Sequence, residues 1–239
     1  FNVTELNKNF TKVDETELRS IVANTTRWPE LEITCTTGIT NMSQLFFDKT
    51  SFNNDIGRWD TSAVTTMNQM FRASYNFNSS ISGWDTSAVV DMTEMFYGAR
   101  AFNVDISNWN TGNVEDMQYM FADAQAFDGD ISNWNTEKVE DMQYMFDGAL
   151  QFNGDLSSWC VELITSEPGN FSLGSILPNA SQPRWGNKCL PTTTTTTAAT
   201  TAASDTTSTV PTAAARKSLP AAPKEVKIGV GVACGVAGI

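Results

Sequence analysis

Apolar residues recur along this chain at a fixed interval of 25, beginning with Trp59, Trp84, Trp109, Trp134 and Trp159. Phe52, Phe77, Phe102, Phe127 and Phe152 keep the same interval, as do Ile56, Ile81, Ile106, Ile131 and Leu156. Val64, Val89, Val114 and Val139 form a further ladder, with Ile39 before it and Ile164 after. Met67, Met92, Met117 and Met142 follow Met42, and Phe46, Phe71, Phe96, Phe121 and Phe146 follow one another, with Phe171 extending that phase. The unit reads F-N-x-D-I-S-x-W-D/N-T-x-x-V-x-x-M-x-x-M-F-x-x-A, and this many coincident ladders mark an internal repeat.

Within the unit, M-x-x-M-F-x-x-A places apolar residues at i, i+3, i+4 and i+7, which predicts one stripe of a short helix. Asn41, Thr66, Asp91, Asp116 and Asp141 precede each first Met and suit an N-cap. Gln44, Gln69 and Glu94, three residues on, would complete capping boxes. The N-x-D-I-S stretch is too short for a helix and predicts a short strand, joined to its copies in a parallel sheet. Asp or Asn followed by Thr after each Trp is a turn signal. One such coil cannot bury its apolar face alone, so the coils must stack in register.

These motifs resemble the BspA-like group of leucine-rich-repeat surface proteins. The match runs from Asp105-Ile106-Ser107-Asn108-Trp109 through Met120-Phe121, strongly over about residues 31–159. The resemblance implies an α/β leucine-rich-repeat-like repeat solenoid, right-handed, each coil holding a short parallel strand and a short helix. It departs at Thr34 and Cys35, where the first partial coil lacks the Trp.

Five segments are expected. Residues 1–30 form an N-terminal cap, with Asp14-Glu15-Thr16-Glu17 opening a helix that carries Leu18, Ile21 and Val22. Residues 31–159 are the repeats, and 160–190 a C-terminal cap stapled by a Cys160–Cys189 disulfide that brackets its loop. Residues 191–225 are a disordered Thr/Ala/Pro-rich stalk suited to O-glycosylation. Residues 226–239 begin a membrane anchor, because the uncharged run Ile228–Ile239 would span only ~18 Å of a ~30 Å hydrocarbon core. It reads as half a transmembrane helix or as part of a lipid-anchor signal. Lys224 and Lys227, on its outer side, run against the positive-inside tendency. Phe1 stands where a methionine would, which suggests a processed or truncated start.

Charge and cysteine content narrow the function. The net charge is −12, and residues 1–189 carry 25 Asp/Glu against 11 Lys/Arg, a net of −14. Phosphate backbones would be repelled, so no nucleic-acid partner is expected. The absence of histidine removes the commonest general base and the commonest transition-metal ligand. No CxxC occurs, so zinc and thioredoxin-like chemistry lack support. Cys35 shares a phase with Cys160 five coils away, roughly 25 Å at about 5 Å per coil, beyond the ~7 Å reach of a bridge. Cys35 is therefore expected free, or paired with a residue outside this sequence. Seven Asn-X-Ser/Thr sequons favour the secretory route. Asn2, Asn9, Asn24, Asn170 and Asn179 are the expected glycosylation sites. Asn41 and Asn78 lie inside the repeat, where packing roles compete.

Asp55, Asp105, Asp130 and Asp155 form an acidic ladder interrupted by Ser80. Such carboxylates could hold Ca²⁺, or simply accept hydrogen bonds from turn backbone; the tolerated break favours the second. Asn53, Asn78, Asn103, Asp128 and Asn153 form a polar ladder suited to satisfying backbone groups. Positions flanking the strand vary while the framework repeats: Asn54, Ser79, Val104, Gly129 and Gly154, and Arg58, Gly83, Asn108, Asn133 and Ser158. The binding face expected from these columns comprises Asn54, Asp55, Arg58, Asp105, Asn108, Asp130, Asn133 and Asp155. No repeat breaks the pattern to create a unique acid/base pair, so no catalytic residues, metal site or cofactor are expected. The resulting expectation is a monomeric ectodomain on the extracellular face of the plasma membrane, engaging a protein or glycan ligand. The rival is an acidic, Ca²⁺-associating wall or matrix protein.

Overall fold

The computed structural model describes residues 10–189. Strand β1 (Thr11–Lys12) leads into helix α1 (Glu15–Ala23), a 3-10 helix follows over Thr25–Ile33, and β2 (Thr34–Cys35) pairs parallel to β1. Asp14 caps α1 by accepting the Glu17 N–H at 2.9 Å, and Leu18, Ile21 and Val22 turn inward to the core. The boundary expected at residue 31 falls inside the 3-10 helix.

From Asn41 onward the 25-residue units stack in register, and the framework ladders fill one continuous core. The Phe, Ile and Met columns are sealed from solvent and each Trp is about 4% exposed. Equivalent rings lie parallel, as for Phe96–Phe121 at 5.7 Å and Trp109–Trp134 at 6.4 Å. Each indole N–H donates to a carbonyl one repeat back; Trp109 reaches Ile81 at 3.2 Å and Trp134 reaches Ile106 at 3.2 Å. The buried hydroxyls of Thr61, Thr86, Thr111 and Thr136 donate forward to the carbonyls of Asp85, Asn110, Asn135 and Cys160. The core is thus apolar, and its few polar atoms are paired, apart from the indole N–H of Trp185 at its C-terminal end.

The helix expected in each repeat is absent. Residues 42–48 and their copies form consecutive turns, with two residues per repeat in the left-handed region, such as Gln44 (φ 58°) and Asp48 (φ 56°). Alternate N–H groups leave the segment: Met42, Gln44, Phe46 and Asp48 donate to Thr66, Asn68, Met70 and Arg72 of the next repeat at 2.8–3.1 Å. The intervening donors close local turns, as Leu45 does to Met42 at 3.3 Å. Apolar spacing of three and four serves this turn row as well as it serves a helix. A segment this short cannot meet the cost of helix nucleation, whereas stacked copies offer acceptors at once. Gln44, Gln69 and Glu94 accordingly occupy left-handed positions and do not close capping boxes.

The parallel pairing is also displaced from its expected place. It runs Asn41–Thr66–Asp91–Asp116–Asp141, one bridge per interface. In the N-x-D-I-S stretch, Asn and Asp side chains take the backbone donors: Asn78 N–H binds Asn53 Oδ1, and Asn103 N–H binds Asn78 Oδ1. No backbone ladder forms where side chains have already filled its place.

Both ends of the stack differ from its middle. At the front, the Arg19 guanidinium of α1 donates to the carbonyls of Ser43 (3.0 Å) and Asn41 (3.4 Å), supplying the donors that a preceding repeat would give. Arg19→Met is expected to lower the unfolding free energy by about 1–2 kcal/mol, read by urea denaturation, because two carbonyls lose a charged donor. At the back, Tyr144 donates to Gly169, and the left-handed residues are Asn170 and Gly174, a one-residue insertion relative to earlier repeats. Phe171 therefore takes the backbone place of a second Met and meets Phe146 edge-on at 86° instead of extending the Phe column. Trp185 packs edge-on against Phe171 at 4.9 Å, and Cys160 is bonded to Cys189 with Cα atoms 5.3 Å apart. Cys35 is not free. It is disulfide-bonded.

Candidate functional site

The acidic ladder builds turns. The Asp55 carboxylate accepts the Gly57 N–H at 3.0 Å; Asp105, Asp130 and Asp155 likewise accept the N–H of Ser107, Ser132 and Ser157 at 3.0–3.1 Å. The serine hydroxyl and N–H hold the Asp130 and Asp155 carboxyls below the ordinary range. Among the described residues, no group of three or more Cys, Asp or Glu is placed to hold a metal ion. Arg58, Asn108 and Asn133 are exposed and Asn54 is half-buried, whereas Val104, expected at the surface, is buried. Val104 turns inward because side chains alternate along this stretch, with Phe102, Val104 and Ile106 buried and Asn103 and Asp105 exposed. Among the sequons, Asn24, Asn170 and Asn179 are exposed. Asn78 is exposed too, but its Oδ1 is taken by the Asn103 N–H. Asn2, Asn9 and the residues expected to form a stalk and an anchor lie outside the described residues. No helix among the described residues is long and apolar enough to cross a membrane.

A different face stands out once the turn row is recognised. The row buries its Met and Phe residues and turns the intervening x positions outward, and these vary from repeat to repeat. One column reads Gln44, Gln69, Glu94, Tyr119, Tyr144, and its neighbour Phe47, Arg72, Tyr97, Ala122, Asp147, of which Ala122 alone is buried. Tyr119 and Tyr144 stack at 4.5 Å with 4° between planes, and Tyr97 lies 6.0 Å from Tyr119. The Arg72 guanidinium sits 4.8 Å from the Tyr97 ring centroid and 5.7 Å from that of Phe47, and is ion-paired with Glu94. Phe47 is 42% exposed. Burial, then the neighbouring Tyr144 and Tyr97, pushes the Tyr119 phenol above its ordinary range, so it stays neutral.

Carboxylates border the tyrosines. Burial, then Asp123, pushes the Asp147 carboxyl upward. Asp116 is also raised, chiefly by burial; the Gln118 N–H and the Thr93 hydroxyl oppose this, and Asp141 and Asp91 add to it. The acidity is concentrated here: residues 85–160 hold 14 Asp/Glu against 2 Lys/Arg, a net of −12, and residues 31–84 hold 4 against 3, a net of −1. Asp116→Asn keeps the Oδ1 acceptor for the Gln118 N–H, as Asn41 does for Ser43. A carboxyl whose folded pKa is raised costs stability above that pKa, and the cost fades as pH falls through it. Asp116→Asn is therefore expected to stabilise at pH 7 by a few tenths of a kcal/mol, discounted for solvent screening. The gain should disappear below about pH 4, where the carboxyl is protonated in both states. Thermal melts across that range check both parts.

These features were missed in the sequence because the segment was expected to be helical. The signal was present: aromatic residues at the variable positions between invariant Met and Phe.

Stacked units sharing one core define a repeat protein. The chain belongs to the family described as Mycoplasma protein of unknown function, DUF285, which it matches over residues 4–111 and again over 81–179. No curated protein and no solved structure matches it.

Proposed function

We propose that this chain is a cell-surface binding ectodomain, a right-handed solenoid of the BspA-like, leucine-rich-repeat-like kind. It would stand on a glycosylated stalk at the extracellular face of a plasma membrane and bind a protein or glycan, without catalysis. One observation carries this: the framework of each repeat keeps its apolar character and is buried, while the outward residues of the turn row vary and include Phe47, Tyr97, Tyr119 and Tyr144. Partly exposed aromatic residues serve no packing need of the core, and such residues are enriched where proteins bind partners. The Cys160–Cys189 bond suits an oxidising compartment.

The test is a binding screen of the immobilised full chain against cell surfaces, matrix proteins and a glycan panel. Saturable binding with Kd below about 10 µM to any of them supports the proposal. Absence of binding across all three overturns it.

A further inference from the structure

We propose that the outward face of the turn rows from Asp91 to Gly148 docks a basic protein segment, whose Lys or Arg side chains lie over Tyr119 and Tyr144 and against Asp123 and Asp147. This rests on the binding role above and names the chemistry of its partner.

The chain contains its own example of the contact. Arg72 lies between Phe47 and Tyr97 and pairs with Glu94, a guanidinium held by ring faces and a carboxylate together. Two repeats further on, the same columns offer tyrosines and carboxylates but no cation. Asp123 and Asp147 sit in adjacent repeats, joined by the Asp123 N–H to the Asp147 carbonyl at 2.7 Å. Neither makes an ion pair among the described residues. The two basic side chains of residues 85–160 are engaged elsewhere: Arg100 lies over Tyr75 at 4.5 Å, and Lys138 donates to Asn113 at 2.6 Å. The surface thus has ring faces that attract cations, acceptors for charged donors and a net negative field to steer a positive partner. Asp147 is raised first by burial and then by the charge of Asp123, and an incoming cation would offset the second. A neutral glycan would use the rings and leave the concentrated charge without a counterpart, so the basic segment is favoured.

The probe is a labelled twelve-residue peptide of alternating Arg and Ser, titrated into the full 239-residue chain, with a Glu-for-Arg peptide and neutral oligosaccharides alongside. Asp123→Asn with Asp147→Asn is expected to raise Kd about fivefold, and Tyr119→Leu with Tyr144→Leu about threefold or more. Leu keeps apolar bulk, and a matching thermal midpoint verifies folding. Asp128→Asn with Glu137→Gln removes the same charge from other columns and should change Kd less than about twofold. Equal weakening by both charge pairs would mean bulk attraction and overturn the proposal, as would indifference to both the tyrosine and the Asp123/Asp147 changes. Binding of neutral oligosaccharides without the Arg peptide also overturns it but leaves the binding role standing. Failure of every ligand, in this assay and in the wider screen, removes both.

Discussion

Phe121→Ala is expected to lower the unfolding free energy by about 3–5 kcal/mol. Phe121 is fully buried in the middle of the stack. Its ring lies 5.7 Å from both Phe96 and Phe146 in its own column and 4.0 Å from Phe127 in the next. The neighbours cannot collapse into the void. Phe96 and Phe146 are held in register by the alternate N–H bonds, Phe96 to Met120 at 2.9 Å and Phe121 to Met145 at 2.9 Å. The cavity therefore stays, and the lost transfer energy and lost dispersion contacts add. Stability in a stacked array is a sum of repeat and interface terms, so the damage is local. Urea denaturation should show a lower midpoint and a broader transition as the array separates at this repeat. Leu150→Ala, at a side chain 47% exposed, should stay within about 0.5 kcal/mol.

The second large effect is expected at the C-terminal cap. Cys160→Ser with Cys189→Ser should cost about 3–4 kcal/mol, since the bond closes a loop between residues 29 apart. The bond sits where repeat packing runs out. Beyond Trp159 the one-residue insertion shifts the register, and Phe171 and Trp185 meet only edge-on. Hydrogen exchange should quicken over residues 160–189 and remain unchanged near residues 60–120, because each repeat contacts only its neighbours. Substitution is the cleaner test than reduction, as a reductant would also act on Cys35, which is disulfide-bonded.

Residue by residue, legibility followed spacing. The Trp, Phe, Ile, Val and Met ladders were visible as core because a fixed period of 25 leaves no other economical explanation, and the structure buries them. The Asp-Thr and Asn-Thr turns were also legible, since Asp and Asn side chains bind backbone two residues on; Asp85 accepts the Ser87 N–H at 2.9 Å. The Cys160–Cys189 pair could be named because both cysteines bracket a segment in which the period decays. The tyrosine face was not recognised, although its residues were in plain view. Read as a helix, M-x-x-M-F presents its outward positions as an ordinary solvated surface, and only the columns beside N-x-D-I-S stand apart.

The sequence by itself determined that this protein is a stack of 25-residue units, which residues form its core, and which turns close each unit. Side-chain character and spacing suffice for that, because burial and Asx turns act within one repeat or between identical copies. Only the tertiary structure decided what the backbone does between the turns. Apolar spacing of three and four is shared by a helix and by a row of turns, and local propensity cannot separate them in so short a segment. The choice falls to the neighbouring repeat, whose carbonyls accept alternate N–H groups and hold every fourth residue or so in the left-handed region. That choice brings Tyr97, Tyr119, Tyr144, Asp123 and Asp147 onto one face.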